Sequence, residues 1–226
     1  MRKRHLMFGS AAAVAAAAGY GAVTWYRYGR VSRAGTRDEL LDRFMPEFEV
    51  REHHEARIAA PADVSYASAR ELDLHRSPLI GGIFRARQLL MGGRAAAEAP
   101  ASGPFLDEVI ALGWRVLAEE PDRQFVLGAV TQPWLADVVF RGIPPEGFAG
   151  FDEPGYVKIA WTVGVTPLGA EASLFRTETR AVATDPASRA RFRRYWTLVS
   201  PGILLIRREM LRLVRREAER RAALHR

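Results

Sequence analysis

The feature that most constrains the fold of this chain is an apolar stripe near its C-terminus. Large apolar residues recur there in alternating steps of four and three: Phe192, Trp196, Val199, Ile203, Ile206, Met210 and Leu213. This spacing places them on one face of an α-helix, which Asp185 can cap and Pro186 can begin. The stripe therefore predicts a long amphipathic helix that buries this face against a sheet, with a coiled-coil partner helix as the alternative.

Upstream segments predict an antiparallel sheet. Alternation of residue character predicts strands near 48–58, 114–119, 125–131, 157–165 and 172–184. Turn-forming residues at 120–123 and 166–169 join the last four strands as two hairpins. Helices are predicted near 62–74, 79–91 and 105–112, between the first strand and the hairpins. The fold class is therefore α+β.

This element order resembles that of the START-related superfamily, also called SRPBCC or polyketide cyclase-like. Residues 58–64 are similar to the passage from its first strand into its first helix. Short stretches at 177–180, 191–196, 200–202 and 206–208 resemble those of bacterial members. The likeness spans about residues 44–221 of the chain.

The resemblance implies a helix-grip fold, in which a curved antiparallel sheet wraps around the long C-terminal helix and leaves a cavity between them. Members of the superfamily include lipid and steroid carriers, aromatases and cyclases, and ligand sensors. They share no common catalytic motif, so the resemblance assigns no catalytic residue. It implies a ligand-binding domain at residues 38–226.

The N-terminal segment, residues 1–37, differs from the rest in composition. Residues 6–26 carry no charge and have basic residues on both sides. A run of this length can cross a bilayer as a hydrophobic helix, which predicts a single-pass membrane anchor. Small residues near Ala17 also suit a signal peptidase, so export after signal cleavage is the alternative, and a soluble leader is a third.

Basic charge is concentrated at the two ends of the chain. Residues 1–37 carry +7 and residues 189–226 carry +9, which leaves −9 for residues 38–188. An anionic membrane surface would therefore meet the termini, although an Arg-rich helix face can also simply be solvated. No zinc-finger spacing or recognition-helix pattern is present, so nucleic acid is not a predicted partner. The absence of cysteine excludes thiolate chemistry.

The residues predicted to line a cavity are Glu52, His54, Trp114, Trp161, Phe175, Trp196, Val199 and Ile203. Glu52 and His54 alternate along the first strand, on the face that also carries Val50 and Ile58. On an inward face they can orient a ligand or act as an acid–base pair, whereas a register shift of one residue would leave both in water. For each aromatic residue, ordinary core packing is the alternative.

Metal binding is not predicted, because the adjacent residues His53 and His54 point to opposite faces of a strand. No cofactor is predicted either. The sequence favours a membrane-tethered, non-catalytic domain that binds or carries a hydrophobic small molecule, either a lipid or a polyketide-like compound. A cyclase or dehydratase using Glu52 and His54 is the first alternative. An interaction module that docks through the Arg-rich helix is the second, and the sequence leaves the oligomeric state open.

Overall fold

The computed structural model describes residues 16, 19–24, 28, 32–33, 38–73, 77–92 and 103–224. These residues form an α+β fold, as predicted. In chain order the elements are β1 (Ser32–Arg33), α1 (Glu39–Asp42), β2 (Glu47–Phe48), β3 (Val50–Ile58), α2 (Ala62–Arg70), α3 (Pro78–Leu90), α4 (Phe105–Ala111), β4 (Arg115–Glu120), β5 (Gln124–Thr131), β6 (Phe140–Arg141), α5 (Pro145–Phe148), β7 (Val157–Pro167), β8 (Ser173–Ala183) and α6 (Pro186–Leu224).

The main sheet of the described region is antiparallel throughout. Its strands follow the order β3-β8-β7-β5-β4, and β6 pairs with the end of β5. The two predicted hairpins are present as β4–β5 and β7–β8, and their turns contain Asp122 and Gly169 at positive φ angles of 58° and 126°. The longer hairpin, β7–β8, lies at the centre of the sheet, so these two strands form the surface against which other elements pack.

The C-terminal helix α6 is the predicted amphipathic helix, and it contacts β3, β7, β8 and α2. It runs for 39 residues and continues through Pro201. The Asp185 side chain accepts hydrogen bonds from the backbone N–H groups of Ala187 and Ser188, so it caps the first turn as expected. A long helix against one face of an antiparallel sheet is the helix-grip arrangement.

The buried face of α6 departs from the predicted stripe in its second half. Beyond Met210 it continues through Val214, Ala218 and Ala222, whereas Leu213 is only partly buried. The alanines lie where α2 approaches α6, and a small side chain permits that close approach. Alanine is too small and too weakly apolar to indicate a buried face by itself. The predicted stripe therefore ends earlier than the buried face does.

The opposite face of the sheet carries a second core that the sequence did not predict. Leu41, Met45 and Phe148 are fully or almost fully buried there, and their cluster includes Val126 of β5. Arg180 of β8 is completely buried on this face, and its guanidinium pairs with Glu178 and with Asp42, the last residue of α1. The sheet is therefore covered on both sides.

The predicted membrane anchor requires a correction. Across the residues that the structure describes, no helix is long and apolar enough to span a bilayer. This finding contradicts the predicted membrane location through a single-pass N-terminal anchor, and that prediction was wrong. Most of the uncharged run 6–26, including the alternative signal-cleavage site, lies outside the described residues. Within it, residues 19–24 are helical, and the Tyr20 hydroxyl donates a hydrogen bond to Ser200 of α6 over 3.0 Å.

The burial pattern of α6 predicts how much its contacts contribute to stability. Met210→Ala should lower the free energy of unfolding by about 2–5 kcal/mol, because it removes a buried side chain and leaves a cavity. Leu205→Ala, at a position that is 45% exposed on the same helix, should change it by less than about 1 kcal/mol. Urea denaturation measures both values, and equal losses for the two variants would contradict the orientation of the helix.

Candidate functional site

A row of polar side chains crosses the sheet beneath the middle of α6. The strand register places Glu52 of β3 opposite Thr179 of β8, and Thr179 opposite Trp161 of β7. In the next row on the same face, His54 lies opposite Thr177. Because side chains alternate between the two faces of a strand, all of these residues point towards α6. The register therefore assembles a polar patch inside an otherwise apolar interface.

Arg207 of α6 lies across this row. Its Nη2 donates a hydrogen bond to Oγ1 of Thr179, and its Cζ stands 4.2 Å from the centre of the Trp161 ring. That ring is fixed in turn, because the Trp161 indole N–H donates to Thr177 Oγ1 over 2.6 Å. Loss of hydration lowers the pKa of Arg207 to about 10, and the nearby negative charge of Glu52 acts in the opposite direction.

Glu52 and His54 are both partly buried, with 23% and 20% of their side-chain surface exposed. Their closest polar atoms, Glu52 Oε2 and His54 Nε2, are 3.7 Å apart, which is too long for a hydrogen bond. Burial raises the pKa of Glu52, while Arg207 lowers it. Burial also lowers the pKa of His54, and the positive charges of Arg207, His53 and Arg208 add to this effect.

One nitrogen of this group is left without a partner. His54 Nε2 is buried, and no hydrogen bond reaches it from any residue that the structure describes. A buried polar atom without a partner costs free energy, so such atoms are uncommon in native interiors. The hydrogen-bonding capacity of this nitrogen is therefore not used by any residue that the structure describes.

Apolar clusters lie on both sides of the polar patch. Towards the start of α6, Val50, Ala181 and Trp196 form one cluster, with Ile203 and Ile159 packed against it. Towards its end, Met210 and Val214 belong to the larger core that includes Trp161 and Ile58. The polar groups are therefore enclosed between apolar walls.

A cleft of about 310 Å³ reaches this region from the edge of the sheet. Glu52 and Val50 line it from β3, and Trp196 and Leu204 line it from α6. Tyr20, Val23, Thr24 and Tyr28 of the N-terminal segment complete the lining on the side away from the sheet. Glu52 therefore belongs both to the polar patch and to the wall of the cleft.

The predicted cavity residues divide into two groups. Glu52 and His54 point inwards as expected; Trp161 belongs to the polar row, Trp196 lines the cleft, and Val199 and Ile203 are partly buried on α6. The other two belong to or pack against the larger core, and their place in a cavity lining stays a prediction. Phe175 is completely buried in that core. Trp114 packs against that core, with its ring 5.1 Å from that of Phe140.

The sequence analysis missed Arg207, Thr177 and Thr179. Arg207 follows Ile203 by four positions and precedes Met210 by three, so it lies on the apolar face of the helix. A lone charge on an apolar face was the signal that could have identified it. The two threonines carried no such signal, because their role depends on the strands that lie beside β8.

The basic surface of α6 shows a different arrangement. Arg212 pairs with Glu209, Arg215 with Glu219 and Arg220 with Glu217, all within the helix. Pairs of this spacing are typical of a solvated helix face. These arginines are therefore paired with carboxylates of the same helix.

No protein-family model matches this chain, and no curated protein matches it. Similar solved structures include the di-domain aromatase/cyclase BexL of the BE-7585A biosynthetic pathway, at 16% identity and a TM-score of 0.32 over 75% of this chain. This chain spans 46% of that two-domain protein.

In two further similar structures the match covers nearly the whole of the other chain. Norcoclaurine synthase from Thalictrum flavum is 13% identical, with a TM-score of 0.32 over 80% of this chain and 93% of that one. The ZhuI aromatase/cyclase from Streptomyces sp. R1128 is 15% identical, with a TM-score of 0.27 over 76% and 94%. At TM-scores this low, the helix-grip assignment rests on the strand order and on the position of α6.

The lowered pKa of His54 predicts a pH dependence of stability. Because the pKa of this imidazole is lowered in the folded state, the unfolded chain takes up the proton first as the pH falls below about 6.5. The free energy of unfolding should therefore decrease as the pH falls through that value, and His54→Gln should reduce this decrease. Urea denaturation of both proteins at about pH 7.5 and about pH 5.5 measures the difference. Identical decreases would contradict the buried, neutral state of His54.

Proposed function

We propose that this domain binds an apolar small molecule carrying a few polar groups, such as a lipid or a polyketide-like compound, between α6 and the sheet. The observation that carries the proposal is a cleft that reaches the inner face of the sheet at Glu52, beside a polar patch in which His54 Nε2 is buried without a partner. A polar interior that is not satisfied by the protein itself is what a ligand can complete.

The composition of the site supports this proposal. Ligand pockets are mostly apolar and aromatic, with a small number of polar groups that fix the orientation of the ligand. Here Trp161, Trp196 and Ile203 supply apolar surface, and Glu52 and His54 supply polar atoms. The cleft volume of about 310 Å³ lies at the lower end of the range for small-molecule sites, and it is open at the sheet edge.

The occupant can be sought directly. The full chain is purified from its host without detergent and studied by native mass spectrometry, and its bound molecules are then extracted into organic solvent and identified. A small apolar compound that co-purifies at a fixed ratio is the expected result. Protein that carries none and that also fails to take up added apolar probes would overturn the proposal.

A substitution that fills the cleft should weaken binding of such a probe. Leu204→Trp places a larger side chain in the wall of the cleft, and it should reduce the affinity for the uncharged dye N-phenyl-1-naphthylamine at least about tenfold, measured by fluorescence titration. Leu205→Trp makes the same change at the next, exposed position of the helix, and it should leave the affinity unchanged. Equal effects of the two variants would contradict binding at this site.

An enzyme of the cyclase or dehydratase type is the second candidate function. The observation that favours it is that Glu52 and His54 lie side by side on the inner face, with a carboxyl group of raised pKa near an imidazole of lowered pKa. A protonated carboxyl can donate a proton, and a neutral imidazole can accept one, so the pair has the properties of an acid and a base.

The catalytic candidate predicts a difference between extracted compounds. If the pair promotes loss of water, the wild-type protein should yield a product lighter by one water molecule than the compound bound to the Glu52→Gln variant. Mass spectrometry of the two extracts makes this comparison. The Glu55→Gln variant, on the outer face of the same strand, serves as the control and should match the wild type. Identical compounds in all three extracts would exclude this reaction.

A further inference from the structure

Each face of the sheet carries an arginine, completely buried on the outer face and partly buried on the inner face, and the two charges are paired differently. On the outer face, Arg180 is paired with two carboxylates, Glu178 and Asp42, and it also donates to the backbone carbonyl of Met45. On the inner face, Arg207 donates to the hydroxyl of Thr179 and stacks on Trp161. No ion pair joins Arg207 to any carboxylate of the described residues.

A partly buried guanidinium group that has no anionic partner is in an unfavourable position. Moving a charge out of water costs several kcal/mol unless a partner of opposite charge and hydrogen bonds replace the lost hydration. Stacking on Trp161 and one hydroxyl acceptor offset only part of this cost, because a guanidinium has five N–H donors. Glu52 attracts Arg207 electrostatically but does not reach ion-pair distance.

We infer that Arg207 is the anchor for the carboxylate of a bound organic acid, whose apolar body occupies the cleft beside Val50, Trp196 and Leu204. This inference rests on the proposed ligand-binding function and specifies its ligand class. The stacking of the guanidinium on Trp161 holds it in a defined plane, and a planar guanidinium matches a carboxylate through two parallel hydrogen bonds. The unpartnered Nε2 of His54 lies in the neighbouring row, where it can contact a further polar group of the same ligand.

The negative charge of Glu52 should weaken binding of such a ligand by electrostatic repulsion. It is the carboxylate that acts on Arg207, and it also lines the cleft by which a ligand would enter. A bound carboxylate would therefore meet repulsion from an ionised Glu52 and attraction from Arg207. Replacing Glu52 with the isosteric amide should remove the repulsion and keep the shape of the site. The two residues thus predict opposite effects on the same ligand.

The test uses two probes of the same shape and different charge, 2-naphthoate and 2-naphthamide, with the full chain at about pH 7.5, where the acid is ionised. Isothermal titration should show that the wild-type protein binds 2-naphthoate at least about tenfold more tightly than the amide. Arg207→Met should remove this difference and leave the affinity for the amide unchanged. Glu52→Gln should increase the affinity for 2-naphthoate.

Arg208→Met is the matched control, because it removes the same charge from the next, exposed position of α6. It should retain the preference for the acid, and Arg207→Lys should retain part of it. Circular dichroism and thermal melting confirm that each variant is folded. Should Arg207→Met fail to fold, Arg207→Lys and Glu52→Gln still decide the question through their opposite effects on 2-naphthoate.

The possible outcomes separate the two proposals. If the wild-type protein binds both probes with equal affinity, Arg207 is not an anion anchor, while the ligand-binding function stands. If the acid is preferred and Arg208→Met removes the preference as strongly as Arg207→Met does, the preference reflects surface charge and the anchor is again excluded. If neither these probes nor the uncharged dye binds, both proposals are overturned.

Discussion

The packing of α6 against the inner face of the sheet is the interaction on which the rest of the structure depends. Apolar clusters attach the helix near Trp196 and again near Met210. Burial of apolar area at these two places supplies the favourable free energy that keeps Arg207 enclosed between them. The charged group is therefore held by the packing around it, although its own burial is unfavourable.

This arrangement connects stability with function. An interior optimised only for stability would place an apolar side chain where Arg207 lies. On the outer face of the same sheet, the buried Arg180 has two carboxylate partners, whereas no carboxylate of the described residues forms an ion pair with Arg207. This difference in ion pairing is the strongest reason to propose the inner patch as a binding site.

Much of the fold was predictable because its helices and strands follow from local features of the sequence, namely the spacing of apolar residues and the residues that cap helices. The alternation in β3 correctly placed Glu52 and His54 on the inner face, and the cap at Asp185 correctly located the start of α6. The outer core escaped prediction, because Leu41 and Phe148 lie in short segments without a period long enough to show which face is buried. The predicted single-pass anchor failed, because an uncharged run in a sequence does not by itself establish a spanning helix.

The sequence by itself determined the type of each long element, the inward face of β3 and the apolar stripe of α6, since these follow from the periods of helix and strand. Only the tertiary structure decided that Glu52, Thr179 and Trp161 form one row, that Arg207 lies across it, and that Phe175 belongs to the core. The physical reason is that neighbours across a sheet are set by the pairing register of distant strands, which no local pattern specifies. The candidate site is built from those non-local contacts.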